Sequence, residues 1–122
     1  MKLKLTSVLG ASAIILGAFG AHALTDLLSK SELSSFKTGV FYHLTHAVYL
    51  LGLVILEKNM NVKWPFYLAF TGILFFSGSI YLLSLDHLLG LDLSFLWPVT
   101  PIGGLLLVSS WLSLFNLKKT SN

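Results

Sequence analysis

The chain has 122 residues, 55% of them hydrophobic and 11% charged, with no cysteine and a formal charge of +3. Soluble domains carry about 25% charged residues, so this much apolar surface calls for a bilayer rather than water. The absence of cysteine excludes a disulfide framework and a thiolate metal site, and the basic residues, all lysines in short flanks, argue against nucleic acid.

The first element is residues 5–24, LTSVLGASAIILGAFGAHAL, which contain no Asp, Glu, Lys or Arg. About 20 residues of helix cross the ~30 Å hydrocarbon core of a bilayer. Lys2, Lys4, the apolar run and Ala21-His22-Ala23 also imitate a cleaved signal peptide. The run is long enough to span, so a retained first helix is expected. Along it Gly10, Ala13, Gly17 and Ala21 recur at three- and four-residue steps beside Gly20. Small residues on one face let membrane helices approach closely, and helix packing is their expected role.

Residues 25–37 carry Asp26, Lys30, Glu32 and Lys37 among leucines, which predicts a short interfacial helix capped at Thr25 or Asp26. A second span is predicted over 38–56, a polar turn over 57–63 and a third span over 64–85. An interfacial stretch follows over 86–97, then a fourth span over 98–117 and a solvated tail. Each span must satisfy its own backbone in lipid, so each is read as a helix. The fold class is therefore all-α: one transmembrane domain, residues 1–122, a four-helix bundle in the cell membrane with lipid as its surroundings. Lys2, Lys4, Lys58, Lys63, Lys118 and Lys119 fall on one side of this topology, and only Lys30 and Lys37 on the other. The positive-inside rule then puts both termini in the cytoplasm.

On this threading the polar residues of four segments meet at one depth, toward the outer leaflet. His22 ends the first span. His43 and His46 share one face of the second, about 9 and 13 Å along its axis from Lys37. Ser77, Gly78, Ser79 and Tyr81 fall in the outer half of the third. Thr100, Gly103 and Gly104 open the fourth. The candidate polar cluster is His22, His43, His46, Ser77, Ser79, Tyr81 and Thr100. Gly78, Gly103 and Gly104 join the packing residues of the first span. Intramembrane histidines can bond neighbouring helices, hold a metal or haem, or carry protons. No carboxylate or thiolate accompanies them inside the spans, which favours hydrogen bonding. No nucleophile elbow or phosphate loop is present, so no catalytic residue, metal or cofactor is assigned.

With these residues in view, the chain resembles the transmembrane protein 256 family of small bacterial and animal membrane proteins. The likeness rests on GAFGAHAL (17–24), FKTGVFYHLTHA (36–47), FSGSIY (76–81) and TPIGG (100–104). Members often carry Ala and Gln where this chain has Gly39 and His43; an amide hydrogen-bonds but ligates metals poorly. The resemblance implies four membrane helices and supplies no activity, substrate or catalytic residue. The expectation is a non-enzymatic structural or interaction component of the membrane, with a homo-oligomer or another membrane protein as partner. A carrier with a His-lined outer vestibule and a haem- or metal-binding protein are the alternatives.

Overall fold

The computed structural model describes residues 1–120. It contains four α-helices: α1, Lys2–Ala21; α2, Lys30–Leu56; α3, Lys63–Leu89; and α4, Val99–Ser113. Short 3-10 turns, Ser94–Leu96 and Leu114–Asn116, flank α4. All four helices are long and apolar enough to cross a membrane, the fourth counted with its flanking turns as Ser94–Asn116. Helices adjacent in sequence pack as neighbours in space: α1 on α2, α2 on α3, and α3 on α4.

The element boundaries follow local chemistry. At the start of α2 the Ser29 hydroxyl accepts from the Glu32 N–H at 3.1 Å, and the Glu32 carboxylate accepts from the Ser29 N–H at 2.8 Å. This reciprocal cap satisfies two orphan donors and starts the helix at Lys30. The expected interfacial helix and second span are therefore one continuous helix, capped at Ser29 rather than at Thr25 or Asp26. Residues 22–28 form turns, in which Leu24 and Leu28 fold inward onto Phe36. At 27 residues, α2 is about 40 Å long, so its first two turns reach beyond the hydrocarbon. The third helix runs one turn further than expected, to Leu89, because its terminator is Gly90 with φ 67°. In this left-handed conformation, which costs glycine little, the Leu91 N–H reaches back to the Asp86 carbonyl at 3.0 Å. Asp92 then accepts from the Ser94 hydroxyl and N–H, which hold its exposed carboxyl below the usual carboxylate range.

The main core lies toward the chain termini. Leu9, Ala47, Leu50, Leu53, Val62, Phe66, Ala69, Ile73 and Leu107 pack there. The same end is closed by polar pairing. Lys2 forms an ion pair with Glu57 and lies 5.5 Å from the Phe66 ring centre. Of the tail expected to be solvated, residues 118–120 are exposed and are also clipped to the α2–α3 turn, while residues 121–122 lie outside the described residues. Asn61 N–H donates to the Lys118 carbonyl at 2.8 Å, and Thr120 N–H to Asn59 at 3.0 Å, around a Met60–Lys119 bridge. A turn ending in extended backbone leaves unpaired peptide groups, and the tail supplies their partners.

Small residues set the helix spacing at particular points. A Cβ on Gly103 would strike the Phe76 backbone, so α4 lies directly on α3 there. Gly104 faces the Phe76 ring at an ordinary 3.6 Å. Gly20 and Gly17 admit Phe36 and Val40 of α2, and Ala13 is fully buried. Three expected packing residues have no such part: Gly10 and Gly78 face open space, and Ala21 is exposed. The periodic stripe on α1 is wider than its interface, because α1 covers only one flank of α2. Two unassigned glycines do carry contacts. A Cβ on Gly39 would come within 2.9 Å of Tyr81, and one on Gly72 within 2.7 Å of Leu107. The remaining faces, with Ile14, Phe41, Val48, Leu74 and Leu105 exposed, present hydrocarbon outward.

Candidate functional site

The polar side chains within the bundle are joined in directed hydrogen-bonded chains rather than gathered in one cluster. The first crosses three helices. His43 Nδ1 lies 2.9 Å from the Tyr81 hydroxyl, and its Nε2 makes a longer 3.4 Å contact with Ser12 Oγ. Ser12 itself donates to the Leu9 carbonyl at 3.0 Å. That donation leaves Ser12 as acceptor toward His43, so Nε2 bears the ring proton and Nδ1 accepts from Tyr81. The chain thus runs from α3 through α2 to α1.

The second centres on His46. Trp111 Nε1 donates to His46 Nε2 at 3.2 Å, and His46 Nδ1 lies 2.8 Å from the Tyr42 carbonyl. An indole nitrogen can only donate, so Nε2 is unprotonated and Nδ1–H donates to Tyr42. The two histidines, one turn apart, are neutral imidazoles in opposite tautomers. Tyr49 stacks on Trp111 with ring centres 4.2 Å apart and joins α2 to α4 again.

A third chain lies nearer the core. The Tyr49 hydroxyl is 3.0 Å from Ser110 Oγ, which donates to the Pro65 carbonyl at 2.6 Å. Pro65 stands in the first turn of α3, where its missing N–H is no loss. Ser110, with no exposed surface, thereby ties α2, α3 and α4. Two links complete the set. Ser77 donates to the Gly39 carbonyl at 2.7 Å, and Ser79 and Thr100 share a 2.6 Å hydroxyl bond between α3 and α4.

Of the expected cluster, His43 meets Tyr81, Ser79 meets Thr100, Ser77 meets backbone, and His46 belongs to the Trp111 chain. His22 stands apart: it is exposed just beyond α1, and its carbonyl accepts from Thr25. The first span ends before the imidazole can turn inward. Ser12, Tyr49, Ser110 and Trp111 complete the chains from outside the expected cluster. The signal for Tyr49 was available, since it lies one turn beyond His46 on the same helix face. Every ring nitrogen of His43 and His46 already has a protein partner. The chemistry this arrangement supports is interhelical bonding by neutral groups, beside a lipid-side pocket of about 340 Å³ that His46 lines with Tyr42, Phe76, Gly104 and Trp111.

Four apolar helices of spanning length, tied through their polar side chains, define a small multi-pass helical membrane protein. Within that class the chain belongs to the family described as "Protein of unknown function (DUF423)", which it matches over residues 16–104. It is 40% identical over 118 residues to the UPF0382 membrane protein of Staphylococcus epidermidis, a match covering 92% of this chain and 93% of the relative. It is 36% identical over 118 residues to UPF0382 membrane protein YwdK of Bacillus subtilis, covering 90% and 92%. It is 34% identical over 102 residues to UPF0382 inner membrane protein YgdD of Escherichia coli, covering 80% and 73%. No solved structure matches the chain. The protein is a multi-pass component of the cell membrane.

Proposed function

We propose that this protein acts by interaction within the membrane, as a structural subunit or lipid-packing element, and not as an enzyme, carrier or metalloprotein. The observation that carries this reading is the engagement of all four imidazole nitrogens of His43 and His46 by protein groups on neighbouring turns and helices. A metal or ligand needs a nitrogen lone pair free to bind, and those of both rings are already engaged. The half of the bundle nearer the termini adds support: Leu50, Leu53, Phe66, Ala69 and Ile73 fill its centre with buried hydrocarbon. The exposed apolar faces of α1 and α4 are the surfaces for lipid, a second copy or a membrane-protein partner.

Both termini and the α2–α3 turn lie in the cytoplasm on this reading. It is supported by the lysine asymmetry and by the pairing that brings Lys2, Glu57 and Lys118 to one end of the bundle. Kinship with transmembrane protein 256 is part of the same proposal. Purified protein in proteoliposomes should pass no protons, alkali cations or small solutes above empty vesicles. A flux that disappears in His46→Ala would overturn the packing reading.

A further inference from the structure

A second feature lies outside these chains. The first turns of α2, the last turns of α3 and the entry to α4 enclose a cleft of about 530 Å³. Ser31, Glu32 and Ser35 line one side, Leu83 and Ser84 another, and Trp97 the approach to α4. Ser84 is 3% exposed, and its hydroxyl has no hydrogen-bond partner among the described residues. A buried hydroxyl without a partner is uncommon in a folded protein and marks a place where a polar group is missing. Glu32 uses only one carboxylate oxygen in the helix cap, through the Ser29 N–H, and no lysine lines the cleft. The cleft therefore has a carboxylate with one oxygen free, several hydroxyls and an indole, above a hydrocarbon wall. In a bilayer these turns of α2 stand beyond the hydrocarbon, at the level of lipid headgroups.

We propose that this cleft binds a phospholipid whose headgroup ends in a primary ammonium. Three N–H donors suit the free Glu32 oxygen and the acceptor lone pairs of Ser31, Ser35 and Ser84. The Trp97 ring offers a face to the same cation. The acyl chain lies along Leu83. A quaternary choline head has no N–H to give and leaves the hydroxyls unsatisfied. A glycerol head brings no cation to offset the lipid phosphate, so the net negative lipid meets the Glu32 charge with repulsion. The assignment goes beyond the packing reading and does not rest on it, nor on which side of the membrane the cleft faces.

The test is native mass spectrometry of detergent-purified protein, offered equimolar palmitoyl-oleoyl phosphatidylethanolamine, phosphatidylcholine and phosphatidylglycerol. One phosphatidylethanolamine per chain should be retained at least fivefold over the other two. Glu32→Gln keeps the cap, since glutamine serves at that position as well as glutamate; it should bring the preference within twofold. Leu83→Trp, which fills the cleft without touching the cap, should lower retention of all three lipids, with helicity checked by circular dichroism. Equal retention by the native chain, a preference that survives Glu32→Gln, or a dimer that sheds lipid would each overturn the proposal. So would preferred phosphatidylglycerol, which would assign headgroup recognition to Lys30 and Lys37.

Discussion

Trp111 projects half-exposed from α4, yet its indole N–H fixes the tautomer of a buried histidine on another helix. The pair is a direct measure of how much a neutral hydrogen bond contributes inside this bundle. A double-mutant cycle with His46→Phe and Trp111→Phe, read as unfolding free energy in mixed micelles, should show a coupling of about 0.6–2 kcal/mol. Ser110 makes the stronger claim, since it accepts from one helix and donates to another with no surface of its own exposed. Ser110→Ala removes two bonds and leaves the Tyr49 hydroxyl without its side-chain partner. Its cost should be about 1–2 kcal/mol in the same assay, against no measurable change for the exposed Ser109→Ala.

The α3–α4 contact is the closest in the fold, and a glycine makes it possible. Gly103→Ala places a methyl group against the Phe76 backbone, which cannot give way as a side-chain end would. A loss of about 1–3 kcal/mol is expected, seen as a lower thermal midpoint in detergent. Gly10→Ala and Gly78→Ala, each adding a methyl to open space, should be neutral or slightly stabilising. Sequence spacing could not separate these cases. A small-residue repeat shows that a helix is able to pack closely, but which of its residues meets a neighbour depends on rotation about the axis, and that is decided by the partner. The spans themselves were legible, because an uncharged run of 20 residues has few other fates. Their ends were less so. Ser29 and Glu32 spell a capping box in the sequence, but the recurring Leu27, Leu28, Leu33 and Phe36 fit a separate interfacial helix capped at Thr25 or Asp26 equally well. Gly90 terminates α3 through a torsion that composition does not reveal. Likewise His43 and Tyr81 could be placed at one depth, whereas the partner of His46 came from Trp111, 65 residues away on a helix whose rotation was unknown.

At the scale of the whole molecule, sidedness is the property most open to direct measurement. The chain has no cysteine, so single cysteines report on an unmarked background. Asn59→Cys should resist a membrane-impermeant maleimide in intact cells, and Asp92→Cys should react; the reverse pattern would invert the bundle. The tail clip bears on assembly too. Each half of the chain, α1 with α2 and α3 with α4, leaves and returns at the same end, where Asn59, Asn61, Lys118 and Thr120 join strand-like. The order of the two halves along the gene is therefore not dictated by their arrangement in the bilayer. A chain beginning with the second hairpin and finishing with the first, joined through the old ends and opened in the middle turn, would enter the bilayer with every helix pointing as before. The Thr120–Asn59 peptide hydrogen bond, which now joins the second hairpin to the first, would fall at a new chain end, so this small seam is where such a rearranged protein would fray first.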